Sequence, residues 1–198
     1  MQILEASKTE LSGTVLDLGG NDFTHNISNY FRGNYVIQFA DKFPKNEKVI
    51  KLDLEIDNSL KDKFDNICLM NVLEHIKNYK NVINICSKSL NINGSIIGSV
   101  PFLFKIHYSP NDYFRFTEQL LKEEFADQGF KKIKIKKLGE GIFTNFYSSI
   151  FDYTKKIPLL NIFLLTFFLI LDKIIFFISK NYVKKYPLGY FFIATKEN

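Results

Sequence analysis

The sequence predicts an α/β fold built on a largely parallel sheet. Three observations carry that expectation. Strand and helix signals alternate along the chain, three strand candidates are almost free of polar residues, and one late segment alternates strictly between lysine and isoleucine. Alternating elements favour parallel strands joined by helical crossovers. Strands without polar residues are those covered on both faces. A lysine stripe is a common guard of a sheet edge.

Val15–Leu18 is a short apolar run ending in Gly19-Gly20, Tyr35–Phe39 is the second strand, and Val49–Leu52, ending at Asp53, is the third. Ile67–Met70 is the fourth and Ser95–Val100, after Asn93-Gly94, the fifth. A helix is expected near Thr24 after the first strand. Another is expected over Asn78–Leu90, where Tyr79, Val82, Ile83, Cys86 and Leu90 form one apolar stripe; Asn93-Gly94 is read as its stop signal. Thr117 is an N-cap candidate for the next helix and Gly129 its stop. Lys132-Ile133-Lys134-Ile135-Lys136 is the half-exposed strand, and Tyr190–Thr195 the last.

Composition bounds the function. The 198 residues suit a single domain over 1–198. Two cysteines, Cys68 and Cys86, exclude a disulfide scaffold and offer no zinc spacing, so no metal site is expected. A net charge of +5 is too mild for a dedicated nucleic-acid binder. The unusual figure is 21 Phe and 10 Tyr with no Trp. The first residues lack a charged start followed by an apolar stretch, so a cytoplasmic location is expected.

Asp17-Leu18-Gly19-Gly20 follows a buried strand, where glycine lets a ligand approach the backbone. Asp41, just past the second strand, has the placement of a ribose-binding carboxylate. A dinucleotide fingerprint fits poorly, because Asn21 replaces its second glycine. The string VLDLGGND, then KLDL around Asp53, then FDNICLMNVLEHI, then VPF resembles class I S-adenosylmethionine-dependent methyltransferases in content and order. VPFLFKIHYSPNDYFRFT (100–117) is similar to the methyltransferase type 11-like proteins associated with surface-polysaccharide biosynthesis. The likeness runs from Thr14 to Thr117, with a weaker match at YPLGYFFIATK.

That resemblance implies a Rossmann-like sheet of order 3-2-1-4-5-7-6 with strand 7 antiparallel. It implies S-adenosylmethionine as cofactor, with Asp17, Gly19 and Gly20 at its methionine end. Asp41 would bind ribose, Asp53 and Leu54 would sit by adenine, and Asn71 to His75 would line the transfer crevice. The pattern departs at Asn21 and Phe23, which replace glycines, and at Phe39, where the ribose carboxylate usually stands. Asn21 could still adopt the left-handed conformation that glycine takes there. The departures leave open a non-catalytic binding or scaffold domain of the same fold. A nucleic-acid methyltransferase is disfavoured, since no NPPY- or DPPY-like motif follows the fourth strand.

Beyond the fifth strand lies FKIHYSPNDYFRF, too polar for core and too aromatic for a linker. It is read as a substrate loop: His107 as a base at neutral pH, and Asp112, Tyr113 and Arg115 as contacts to a saccharide or lipid-linked saccharide. The alternative gives His107 and Asp112 the task of shaping the loop, with Arg115 paired to Asp112 or a helix end. Of the other histidines, His25 is expected at the surface, while His75 either contacts ligand or caps its loop.

Residues 139–187 are expected to form an apolar helical insertion between the sixth and seventh strands. Residues 157–178 hold five Phe in twenty-two residues, interrupted by Asp172-Lys173. The final strand must rejoin the sheet, so a single span is disfavoured. A hairpin broken near Asp172, a segment lying in the inner-membrane interface, or a homodimer contact is expected instead. Lys155, Lys156, Lys180, Lys184 and Lys185 would suit an anionic leaflet.

Overall fold

A computed structural model describes residues 1–21, 26–57, 60, 62–139 and 141–197, with backbone only at 183 and 184. The helix expected near Thr24, and the readings of Phe23 and His25, therefore lie largely outside the described residues. A 3-10 turn at Ile27–Tyr30 comes next in the chain.

The strands are β1 (Glu10–Leu18), β2 (Arg32–Asp41), β3 (Val49–Lys51), β4 (Phe64–Met70), β5 (Leu90–Pro101), β6 (Lys132–Leu138) and β7 (Gly189–Thr195). They form one sheet in the order β3-β2-β1-β4-β5-β7-β6. β1 to β5 pair in parallel, and β7 lies antiparallel to both β5 and β6. This is the order that the resemblance implied.

The two-residue period of each strand sorts its side chains into two cores. Leu16, Leu18, Ile67, Leu69, Ile96 and Phe192 face one side, beneath helices α2 (Tyr79–Ser89) and α3 (Glu118–Asp127). Val15, Cys68, Ile97 and Phe191 face the other, where Phe31 and Ala6 of the short helix α1 (Gln2–Ala6) cover them. On β6, Ile133 and Ile135 pack inward while the intervening lysines stand in solvent. Lys136 pairs with Glu5 at 2.7 Å across that edge.

The Thr117 hydroxyl accepts the Leu120 N–H at 3.2 Å, capping α3, and Gly129 follows its end with a φ of 85°. Asn93-Gly94 plays a different part from the helix stop expected of it. α2 already ends at Ser89, and Asn93, at φ 65°, lies inside β5. There the pairing jumps from Phe64↔Leu90 to Asn66↔Ser95. The pair forms a bulge, since a left-handed residue lets extra chain be absorbed without breaking the strand.

Three helices separate β6 from β7: α4 (Ile142–Thr154), α5 (Pro158–Ile178) and α6 (Tyr182–Lys185). α5 runs unbroken through Asp172, which overturns the expectation of a hairpin divided there. Asp172 is 2% exposed and faces the first turn of α4, so the charge lies on the packed side of α5 and gives the helix no reason to break. By length and composition α5 could cross a membrane. Most of it stands exposed, including Leu159 at 84% and Phe177 at 92%.

Candidate functional site

Two cavities open at the carboxyl ends of the strands, the edge where open α/β sheets bind ligands. The first, about 680 Å³, lies over β1 to β4. Of the residues expected around a cofactor, Gly19, Asp41, Asp53, Leu54, Asn71 and His75 line it. Gly19 has φ 79°, and a Cβ there would stand 3.0 Å from Val72 Cγ2. Bare backbone at this point keeps the crevice open.

Asp41 ends β2, and its carboxylate accepts the Phe43 N–H at 2.7 Å, which orients it at the crevice wall. The Lys42 ammonium stands 2.9 Å from Asp53 and holds that carboxyl below its usual range. Asn21 lines the same cavity. Its side chain bridges to the loop after β2, donating to Phe43 O at 2.7 Å and accepting the Lys45 N–H at 2.8 Å.

Asp17 and Gly20 lie behind the cavity wall. A Cβ on Gly20 would come within 2.6 Å of the Phe39 ring, so that glycine serves packing. Asp17 is buried and accepts the Ser28 hydroxyl at 2.5 Å, while desolvation raises its carboxyl to about 7. The folded pKa exceeds the unfolded one, so the native state binds the extra proton and loses stability as pH rises from about 4 to about 7. Asp17→Asn is expected to flatten that slope and raise the melting temperature at pH 8 by roughly 2–4 °C per kcal/mol recovered. Thermal denaturation at pH 5 and pH 8 reads both effects; parallel curves for the two proteins would refute the assignment.

The second cavity, about 580 Å³, lies beside the first, at the ends of β5 and β7. Its walls come from Val100, Pro101, Phe104, His107 and Leu138, and from Thr144, Tyr147, Ser148 and Phe151 of α4 with Leu165 and Leu169 of α5. The insertion thus completes a pocket as well as offering a surface. Sequence periodicity could not show that, because it records a helix's apolar face but not what faces it.

Asn71 borders both cavities. It has φ 56°, and its Oδ1 accepts from Gln2 Nε2 at 2.6 Å and from the Ser99 hydroxyl at 3.1 Å. Its N–H donates to Ser99 O at 2.9 Å, tying the turn after β4 to β5.

The loop after β5 folds over the junction. Asp112 receives both guanidinium arms of Arg115, one at 2.7 Å, and the His107 N–H at 2.8 Å. Arg115 also donates to Lys105 O at 3.1 Å. Asp112, Tyr113 and Arg115 border neither cavity; the first and last shape the loop, and the Tyr113 N–H donates to Glu74 O at 2.8 Å. His75 lines the crevice over β1 to β4, and its Nδ1 meets the Asn111 carbonyl, which ties it to the loop after β5.

Glu74 falls inside the Asn71 to His75 stretch expected to line the transfer crevice, but it borders neither cavity, and the sequence alone assigns it no role of its own. It sits in the 3-10 turn Leu73–His75 at 0% exposure, and neither carboxylate oxygen has a hydrogen-bond partner among the described residues. Burial pushes its carboxyl up to about 8, with the Asp112 charge adding and the Arg115 charge opposing. The only signal available was its place inside NVLEHI.

No protein-family model matches the chain, and no curated protein matches its sequence. Solved structures do. A phosphoethanolamine N-methyltransferase 2 of Haemonchus contortus, in complex with phosphomonomethylethanolamine and S-adenosylhomocysteine, superposes with a TM-score of 0.61 at 14% identity. That match covers 100% of this chain and 52% of the other, so the chain spans about half the length of that enzyme. A putative S-adenosylmethionine-dependent methyltransferase from Listeria monocytogenes gives a TM-score of 0.57 at 13% identity, covering 100% and 99%. The 1,6-didemethyltoxoflavin-N1-methyltransferase of Burkholderia thailandensis, with that substrate and S-adenosylhomocysteine bound, gives 0.56 at 15%, covering 100% and 79%. The chain therefore has the fold of S-adenosylmethionine-dependent methyltransferases.

Proposed function

We propose that the chain transfers a methyl group from S-adenosylmethionine to an oxygen of a small acceptor, a saccharide or lipid-linked saccharide. The observation that carries this reading is the pair of adjoining cavities, which share Asn71 at the strand ends. The crevice over β1 to β4 would hold the cofactor, with Asp41 toward ribose and Asp53 and Leu54 toward adenine. The second cavity would hold the acceptor.

The chemistry asks mainly for alignment. The sulfonium is already electrophilic, so the acceptor oxygen, methyl carbon and sulfur must be brought into line across the junction at Asn71. S-adenosylhomocysteine leaves as the oxygen gains its methyl group and loses its proton. His107 stands on the acceptor wall where that proton must be handled. Asp112 and Arg115 act as positioning residues behind it.

The acceptor cavity is apolar with a few polar points, among them Lys105, which pairs with Asp152. That lining favours a lipid-linked saccharide over a free sugar. The exposed face of α5, flanked by Lys155, Lys156, Lys180 and Lys185, would rest on an anionic membrane surface. β6 and β7 pair side by side at Leu138↔Gly189, so both ends of the insertion return to one edge of the sheet. A segment lying on the membrane satisfies that geometry, and the cytoplasmic face of the inner membrane is the proposed location.

The clamp that Asn21 forms across the crevice favours a second reading, a non-catalytic domain of this fold. Calorimetric titration separates the two. S-adenosylmethionine and S-adenosylhomocysteine are expected to bind, and Asp41→Ala to weaken both by roughly 1–3 kcal/mol, the loss of charged hydrogen bonds. No heat at millimolar ligand would leave the non-catalytic reading. Flotation with phosphatidylglycerol vesicles tests the membrane face; protein that stays in the aqueous fraction would refute it.

A further inference from the structure

Three side chains converge beneath the wall between the two cavities. Glu74 comes from the turn after β4, His75 is its neighbour in the chain, and His107 arrives from the loop after β5. Glu74 Oε1 stands 3.8 Å from His75 Nε2 and 3.9 Å from His107 Nε2. One ligand atom from each lies within 4.8 Å of the other two. The rings meet edge to face, with centroids 4.9 Å apart.

His75 Nδ1 meets the Asn111 carbonyl, which fixes the tautomer that leaves its Nε2 bare, the arrangement by which outer groups orient metal-binding imidazoles. His107 Nδ1 is buried without a hydrogen bond and has the Asp112 carboxylate 3.5 Å away. Both Nε2 atoms stand near a carboxyl group that is fully buried and has no hydrogen-bond donor among the described residues. A buried carboxylate without a partner is costly, and a cation placed among these three groups would relieve that cost.

We propose that Glu74, His75 and His107 form a binding site for a first-row divalent transition-metal ion, of the zinc, cobalt or manganese kind. Two imidazoles and one carboxylate suit these ions better than magnesium or calcium, which prefer oxygen alone. Ligands about 2.0–2.2 Å from a tetrahedral ion stand about 3.3–3.5 Å apart. The two separations from Glu74 Oε1 are 3.8 and 3.9 Å and the set spans up to 4.8 Å, so a movement of roughly 0.7 Å by each imidazole closes it. Three protein ligands leave a position open, and His107 places it on the acceptor side.

The assignment stands on side-chain geometry and does not require the methyl-transfer reading. Where both hold, His107 is a ligand rather than a free base, and an acceptor oxygen on the ion loses its proton more readily. Asp112 and Arg115 then orient a metal ligand.

Cobalt(II) is the probe, with no S-adenosylmethionine present. Protein stripped with EDTA is expected to give visible d–d absorption on titration, saturating at one ion per chain and abolished by zinc. Glu74→Gln and His107→Ala should each weaken cobalt binding roughly tenfold or more. His25→Ala should leave it unchanged. Glu74→Gln should melt at or above the wild-type temperature in EDTA, because an amide that cannot ionise replaces a buried acid without a partner. It should also lose the zinc-induced rise in melting temperature that wild type shows. Absence of the absorption in wild type, or the same affinity in wild type and both site variants, would overturn the proposal. Failure of S-adenosylmethionine to bind would overturn only the methyl-transfer reading.

Discussion

Asp172→Leu is expected to destabilise the protein by about 2–4 kcal/mol, although it makes an apolar helix more apolar. The buried carboxylate of Asp172 caps α4 from another helix. It accepts the Phe143 N–H at 3.1 Å, the Thr144 N–H at 2.8 Å and the Thr144 hydroxyl at 2.8 Å. Tyr182 adds its hydroxyl at 3.4 Å. The first-turn amides of a helix have no partners of their own, and a negative charge there also meets the positive end of the helix dipole. Leucine leaves the Phe143 and Thr144 amides without acceptors, while the Thr144 hydroxyl keeps the Gly141 carbonyl at 3.1 Å. α4 carries Thr144, Tyr147, Ser148 and Phe151 to the second cavity, so that wall should loosen with it. Asp172→Asn keeps one acceptor oxygen and should fall between. Urea denaturation followed by near-ultraviolet circular dichroism reads the series. A leucine variant within about 0.5 kcal/mol of wild type, the ordinary range of surface changes, would refute the cap.

The same residue shows where sequence reasoning stops. The central strands were legible because burial on both faces strips polar residues from them, as in Ile67-Cys68-Leu69. The edge strand was legible because one wet face imposes alternation. The cofactor crevice was legible in part, because strand ends and glycines punctuate the chain. Asp172 and Glu74 are different. Each is a carboxylate whose local sequence suits a helix interruption or a solvated turn. Each is buried by a segment distant in the chain: α4 comes 28 residues before Asp172, and the loop over Glu74 binds it through the Tyr113 N–H, 39 residues on. Periodicity records the element a residue belongs to, while these roles depend on what folds against it. The loop residues Asp112 and Arg115 show the converse. Their charges allowed either a ligand contact or a mutual pair, and they meet each other, three residues apart.

Asn71→Val is expected to lower both stability and cofactor affinity, because it acts on conformation and on the wall between the cavities together. At φ 56° a β-branched residue meets its own carbonyl, a cost of about 1–2 kcal/mol. The substitution also removes the side-chain bonds to Gln2 and Ser99, each worth about 0.5–1.5 kcal/mol. The turn that aims Leu73, Glu74 and His75 begins at this residue. Asn71→Gly separates the two causes. Glycine accepts the backbone geometry without strain, so its stability should exceed that of Asn71→Val by about 1–2 kcal/mol and still fall short of wild type. The hydrogen bonds stay lost, and the wall thins between cofactor and acceptor. Calorimetry should then show S-adenosylmethionine binding close to wild type for Asn71→Gly and about tenfold weaker for Asn71→Val, the strain energy expressed as an equilibrium. Methyl transfer should fall in both, since alignment across the junction needs the side chain as well as the turn. If Asn71→Gly transferred methyl groups at the wild-type rate, the amide would be a structural clip, and the junction would rest on backbone alone.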